Sequence, residues 1–253
     1  MNIELIDISK SFATPTGSVE VFNNLTLTFC SGEFVSILGP NGCGKTTLFN
    51  LIIGLDDEYS GKVKLDHVAD RRTAIAYMMQ KDLLLPWKTV YQNIIIGLDI
   101  QGKVNSHTKE SVRQYLKRFG ITNLIDRYPS KLSGGERQKV ALIRTLMLDS
   151  EIMLLDEPFS AIDYNTKLEL QAQIYSLAKE KKKTVLLITH DIDEAIAVSD
   201  RAIIFSHKPN GVLKDIKITF NIPERSPITV KQDPWFATYF SEIWQSLPKQ
   251  NEQ

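Results

Sequence analysis

Apolar and polar residues alternate in short runs through the first 30 positions, Leu25, Leu27 and Phe29 among them, which is the period of half-buried antiparallel strands. Gly61-Lys62-Val63-Lys64-Leu65 extends that pattern. Phe34-Val35-Ser36-Ile37-Leu38 departs from it as a continuous run of the fully buried type. A glycine-rich stretch follows, and then Leu48, Leu51, Ile52 and Leu55 fall on one helical face. The order predicted is strand, loop, helix.

Residues 88 to 130 change character, with Val112, Tyr115, Leu116 and Phe119 at helical spacing and Gly120 placed to end the run. This reads as a helical insertion, taken to about residue 145. Apolar strands return at Ile152 to Leu155 and at Thr184 to Thr189, separated by a helix with Leu170, Ile174, Leu177 and Ala178 on one face. Strand alternating with helix predicts a parallel sheet. Further on, Pro209, Gly211, Pro223 and Pro227 surround the alternating Ile216, Ile218 and Phe220, a small β excursion with loops. Asp233-Pro234 then caps a last helix with Phe236, Tyr239, Phe240, Ile243, Trp244 and Leu247 on one face, expected to pack on the main body. The Lys179 to Lys183 run reads as a solvated helix end.

Composition narrows the class without deciding it. Of 253 residues, 43% are hydrophobic and 24% charged, the balance of a globular chain with a sizeable core. Lys+Arg and Asp+Glu both total 30, so no global field draws the chain to nucleic acid or an anionic membrane. Met1 to Asp7 carry two acids and no basic region before an apolar run, so no leader is expected and the chain should stay in the cytosol. No stretch approaches the roughly 20 apolar residues that span a bilayer, so any membrane location must come through another subunit. Cys30 and Cys43 read as free thiols in a reducing compartment.

Candidate chemistry begins in the loop Gly39-Pro40-Asn41-Gly42-Cys43-Gly44-Lys45-Thr46-Thr47, a GxxxxGKT pattern with a strand before it and a helix after it. Its glycines let backbone amides converge on phosphate oxygens, and the helix adds its positive N-terminus. Lys45 is placed to reach the β- and γ-phosphates, Thr46 to ligate Mg²⁺ and Thr47 to lie near the α-phosphate. The apolar strand ending in Asp156-Glu157 brings one carboxylate to the metal and a second to an attacking water, Asp156 for Mg²⁺ and Glu157 as general base. Ser133-Gly134-Gly135-Glu136 reads as a helix start, with Ser133 capping and Glu136 reaching back, and its two glycines expose amides at a positive helix end.

Leu132-Ser133-Gly134-Gly135-Glu136-Arg137-Gln138, between the phosphate loop and Asp156-Glu157, resembles the signature of ATP-binding cassette transporter ATPases. The resemblance runs through about residue 206. It implies an α/β fold: a P-loop NTPase core with a parallel sheet, an N-terminal antiparallel β subdomain and an inserted helical subdomain at about 88–145. A nucleotide-binding domain would span 1–230, with a C-terminal helix and tail over 231–253. By the same resemblance Gln80 senses metal and water, His190 contacts the γ-phosphate, Ser160-Ala161-Ile162-Asp163 crosses a dimer interface, and Ser133, Gly134 and Gly135 serve the ATP held by the opposite subunit. Phe12 stands where an aromatic stacks on adenine; a place in the core of the N-terminal sheet is the alternative.

The resemblance also implies partners: a second nucleotide-binding subunit, transmembrane permease subunits and a solute-binding protein, with the chain peripheral on the cytoplasmic side of the inner membrane. Leu83-Leu84-Leu85-Pro86-Trp87 is apolar for a segment expected at the surface, and is either a docking site for the permease or buried in the helical part. With Asp191-Ile192-Asp193-Glu194-Ala195 it looks most like importers of nitrate, sulfonate, taurine and related solutes. A soluble cassette acting on nucleic acid or the ribosome is the other class, disfavoured by one cassette, no net charge and no long heptad insert. A nucleotide kinase would leave Ser133 to Gln138 without a use.

Overall fold

The computed structural model describes residues 1–248 apart from 16, 67, 69, 208, 210, 223 and 224, so Pro223 of the tail pattern and positions 249–253 lie outside the described residues. Strands β1 (Ile3–Thr14), β2 (Gly17–Phe29), β3 (Phe34–Leu38) and helix α1 (Lys45–Ile53) come first, then β4 (Ser60–Leu65), α2 (Arg71–Ala74) and β5 (Ile75–Met78). Helices α3 (Val90–Ile100), α4 (Thr108–Arg118) and α5 (Gly134–Met147) precede β6 (Ile152–Asp156), α6 (Tyr164–Glu180) and β7 (Thr184–Ile188). The chain closes with α7 (Ile192–Val198), β8 (Arg201–Phe205), β9 (Val212–Lys217) and α8 (Pro234–Ser246).

Two sheets result. One has three strands in the order β2-β1-β4, all antiparallel, as the early alternation predicts. The other has six in the order β5-β6-β7-β3-β8-β9, parallel except for the β8–β9 edge. Strands β5 and β8 go beyond the predicted elements; at four and five residues they are too short for periodicity alone to mark them.

Alternation along the parallel strands sorts side chains into two layers. Val35, Ile37, Ile152, Leu154, Leu186, Ile188, Ile203 and Phe205 face α1 and the antiparallel sheet. Phe34, Met153, Leu155, Val185 and Leu187 face the other way, into a core shared with α3, α4, α5 and α6. That core is continuous from the sheet to Val112 and Leu116 of α4. With both faces covered, β3, β6 and β7 have no solvent side, the condition of a parallel sheet.

Three expectations change. Leu55 is 53% exposed, because α1 stops at Ile53 with Gly54 in the left-handed conformation and the chain turns away. The lysine run is solvated at Lys181 and Lys182 but anchored at its end: Lys183, 6% exposed, donates to Asp149 Oδ1 at 2.9 Å and to the Ser150 carbonyl, and Lys181 also donates to Asp149 Oδ1 at 2.8 Å. Helix α8 seats Ile243, Phe236, Tyr239 and Leu247 on the α7 side but leaves Trp244 66% exposed, since its apolar face is wider than the contact.

Besides Lys183 and Asp156, two charged groups are held inside. Lys10 on β1 is 3% exposed and donates to Asp56 Oδ1 and the Glu58 carbonyl, both at 2.7 Å, tying the antiparallel sheet to the turn after α1. Glu194 on α7 accepts from Thr189 Oγ1 at 3.0 Å and lies 3.3 Å from Lys167 Nζ, while its Oε1 has no partner. Burial pushes this carboxyl up to about 7 against the pull of Lys167.

Replacing Asp56 with Asn strands the Lys10 ammonium and should cost roughly 3 kcal/mol, read as a lowered denaturation midpoint; an unchanged midpoint refutes this anchor. The raised Glu194 carboxyl means that the folded chain holds a proton the unfolded chain has released, from the ordinary glutamate range up to about 7. Stability from this group is therefore full below that window and lost as pH rises through it, on the order of 3 kcal/mol. Denaturant titrations of the parent and Glu194→Gln between pH 5 and 7.5 should diverge by that amount, and parallel curves would contradict the assignment.

Candidate nucleotide site

Parallel register decides where the chemistry gathers. Ile37 is level with Ile188, Asp156 with Ile188, and Met78 with Leu155, so β3, β5, β6 and β7 end together. Gly39, Gln80, Glu157 and His190 leave the sheet at that one edge, where open α/β sheets bind ligands.

The phosphate loop is shaped by close backbone approach. Gly39 has φ +152°, and a Cβ there would lie 2.9 Å from the Phe205 carbonyl. Gly44 has φ +110°, and a Cβ would meet Val21 and Phe22 of β2 at 2.6 and 2.8 Å, so the antiparallel sheet braces the loop. Lys45 Nζ donates to the Gly39 and Pro40 carbonyls at 2.8 and 2.9 Å, closing the loop on itself. Cys43 is buried beneath, its thiol pushed up by burial, and Cys30 is exposed; both are free. The first turn of α1 carries no acid, which leaves its amides for an anion.

Asn41, Gly42, Gly44, Lys45, Thr46, Thr47, Gln80, Asp156, Glu157 and Ile188 line one cleft of about 270 Å³. Thr46 Oγ1 donates to Asp156 Oδ2 at 3.0 Å. Burial raises the Asp156 carboxyl, the neighbouring Glu157 adds to this, and Thr46 and Lys45 oppose it. No group of three or more His, Cys, Asp or Glu among the described residues forms a cage for a metal. A hydroxyl beside one carboxylate is instead the donor set that suits Mg²⁺ completed by phosphate oxygens, so the site fits that ion.

Glu157 adopts φ +49°, rare for a side chain of this kind. Its amide donates to the Ile188 carbonyl at 3.0 Å, and its carboxylate accepts from Gln80 Nε2 at 3.0 Å. His190 Nδ1 lies 3.6 Å from Glu157 Oε1, with its ring 69% exposed. One residue assigned no role from sequence holds this turn. Gln138 of α5, 5% exposed, donates to the Glu157 carbonyl at 2.9 Å and to Ser160 Oγ at 3.1 Å, and accepts from the Ala161 amide at 2.8 Å.

The remaining candidates stand apart. Ser133 Oγ accepts from the Glu136 amide and Glu136 Oε2 from the Ser133 amide, the capping box expected. Gly134 lines a second hollow with Gln80, Asp82, Leu83, Arg137 and Gln138, and Gly135 abuts the Ala161 carbonyl. Asp163 caps α6, accepting from the Thr166 amide, a hydrogen bond that lowers its carboxyl pKa. Phe12 is 42% exposed with Lys10 Nζ 4.6 Å from its ring centre, which rules out the core alternative. None of Phe12, Ser133, Gly134, Gly135 or Asp163 lines the phosphate cleft.

After Gln80 the chain is pinned rather than loose. Arg137 Nε donates to Asp82 Oδ2 at 3.0 Å, and Arg144 donates to the Asp82 and Leu83 carbonyls at 2.6 and 3.0 Å. Asn93, fully buried, accepts from the Leu85 amide and donates to the carbonyls of Leu85, Lys88 and Thr89. Leu84 is buried by this clamp, while Leu83 and Trp87 project at 53% and 70% exposure.

Known proteins resemble this chain in sequence and fold. The ABC transporter family pattern matches residues 22–160. An uncharacterized ABC transporter ATP-binding protein of Bacillus subtilis is 40% identical over 224 residues, 88% of this chain and 86% of its own length. The aliphatic sulfonates import ATP-binding protein of Bacillus thuringiensis is 35% identical over 225 residues, 88% of each chain. The dimeric structure of a bacterial ABC transporter cassette superposes with a TM-score of 0.78 at 29% identity, covering 86% of this chain and 99% of that one. The same cassette in a post-hydrolysis state bound to ADP and Pi gives 0.77 at 28% identity. A family match over more than half of the chain and relatives 35–40% identical over 88% of it, on a fold whose phosphate loop and Asp156-Glu157 strand end meet at one sheet edge, show that this chain belongs to the ABC transporter family, as one of its ATP-binding ATPases.

Proposed function

We propose that this chain is the ATP-hydrolysing subunit of an importer for a small solute of the nitrate, sulfonate or taurine kind, working as a pair of like cassettes. One observation carries the pairing: the phosphate loop and Gly134 line different hollows of one chain, so each copy offers two incomplete halves of a site. A second copy turned head to tail supplies Ser133, Gly134 and Gly135 to the γ-phosphate and Asp163 to the interface. The backbone of Gly39 to Thr47 cradles the triphosphate, Lys45 moves from its loop carbonyls to the β- and γ-phosphates, and exposed Phe12 stacks on adenine.

Mg²⁺, held by Thr46 and Asp156 with Gln80 beside it, would neutralise charge on the phosphates. Glu157 takes a proton from the attacking water, Gln80 and His190 orient that carboxylate, and His190 contacts the γ-phosphate. Closure on ATP and reopening after hydrolysis is a rigid-body switch. Its motion passes through the clamped segment after Gln80 to the permease, for which exposed Leu83 and Trp87 are the docking contacts. The helical part at about 88–145 carries that segment's supports, and 231–253 lies beyond the nucleotide-binding domain.

No helix among the described residues is long and apolar enough to cross a membrane. Association at the cytoplasmic face of the inner membrane therefore rests on the permease, and import requires a solute-binding protein as well. The named function of the sulfonate relative supports import over the nucleic-acid class, and the neutral charge balance agrees.

Glu157→Gln should lower the ATPase rate by about 10²–10⁴ while ATP is still bound and the ATP-dependent dimer persists in size-exclusion chromatography; hydrolysis at the parent rate would refute the base. Trp87→Ala should cut solute uptake by vesicles containing the assembled transporter about tenfold, with the ATPase of the isolated chain within twofold of the parent. Unchanged uptake would remove the docking surface.

A further inference from the structure

His190 is not held by packing, since its ring is 69% exposed. Its backbone is held from both sides. Thr189 Oγ1 donates to Glu194 Oε2 at 3.0 Å and accepts from the Asp191 amide at 3.0 Å. Asp191 Oδ1 accepts from the Glu194 amide at 3.2 Å, capping α7. These bonds make a closed ring around the histidine, and one cation from another element completes it. Lys167 Nζ donates to Asp191 Oδ2 at 2.6 Å and lies 3.3 Å from Glu194 Oε2.

Lys167 belongs to α6, one turn from the helix cap, and its amide donates to the Asp163 carbonyl at 2.8 Å. The loop Ser160 to Asp163 and the turn carrying His190 are therefore joined through one side chain. The C-terminal segment adds an outer strap: Lys231 Nζ donates to Asp193 Oδ2 at 2.7 Å and to the Tyr164 hydroxyl at 3.2 Å, linking the same two helix starts.

We propose that Lys167 and Glu194 are positioning residues for His190, and that with the Lys231 strap they make the Ser160–Asp163 loop and His190 one rigid unit. This rests on the role of His190 given under Proposed function. Stability alone does not call for such a device. Helix α6 is already seated by Leu170, Ile174, Leu177 and Ala178, and an apolar pair in place of a buried ion pair is often as stable or more so. The Lys167 and Glu194 side chains are 17% and 5% exposed, so the pair is shielded from water and salt and geometrically stiff. It sits at the one end of α6 that meets a loop reaching for a second copy. A displacement of that loop by a partner is thus delivered to the histidine; the tail, through Lys231, can tighten or loosen the same joint.

Steady-state ATPase of the full chain separates the possibilities. Lys167→Met should lower kcat about tenfold with the KM for ATP within twofold, because a misplaced group slows the chemical step more than binding. Lys167→Arg should recover the rate to within about threefold, which simple filling of space would not do. Combined with His190→Ala, Lys167→Met should cost nothing further, since it acts through the histidine. Should Lys167→Met not fold, Thr189→Val, of nearly the same volume, takes its place with the same expectations; Lys231→Met, at the surface, should cost two- to threefold. A folded Lys167→Met or Thr189→Val at full rate, or a loss that multiplies with that of His190→Ala, overturns the positioning role. Full rate in His190→Ala alone overturns the histidine reading and this proposal with it, whereas a slow His190→Ala beside an unaffected Lys167→Met overturns only the latter.

Discussion

The hydrogen bond from the Glu157 amide to the Ile188 carbonyl carries the β6–β7 ladder one residue beyond the last buried strand position, and the site is built on it. Held there, the chain turns with Glu157 at φ +49°, a conformation that costs a side-chain-bearing residue about 1–2 kcal/mol. Gln138 offsets that cost by binding the Glu157 carbonyl and the Ala161 amide at once. The reward is geometric: Asp156 stays in the sheet beside Thr46, while Glu157 swings its carboxylate toward Gln80 and His190. Two adjacent acids are thereby given different neighbours, the arrangement by which two carboxylates come to differ in chemistry.

Because Gln138 lies on the helix that begins at Ser133, that turn is also tied to the signature element. The same helix sends Arg137 and Arg144 to the segment after Gln80. One helix of 14 residues therefore touches the Glu157 turn, opens on the hollow lined by Gly134 and holds the segment that carries Leu83. Movement of α5 relative to the sheet would alter all of these contacts together. Leu83, at φ +45°, marks where the segment is bent outward under that clamp.

On the opposite flank, α6 and α7 meet through charges rather than apolar surface at their first turns. Glu194 is the one buried carboxylate whose second oxygen lacks a partner among the described residues, and it sits where the fold has ion pairing instead of cheaper packing. Polar groups kept inside at such expense usually specify an arrangement rather than stabilise one.

Much of this was legible in the chain alone. The phosphate loop, the Asp156-Glu157 strand end, the Ser133 capping box and the antiparallel start all follow from local rules: glycine where amides must converge, period-2 alternation where one face is buried, and a hydroxyl three residues before a carboxylate at a helix start. Tertiary structure alone decided what rests on contacts between residues far apart. Gln138 under Glu157, Lys167 against Glu194 and Lys183 on Asp149 are ordinary surface-type residues in sequence, and only the packing of helices onto a shared sheet edge takes them out of water and gives each a partner. Local spacing encodes what one segment can do by itself; which distant charge or amide it meets is set by the register of strands and the layering of helices, and no short-range pattern carries that.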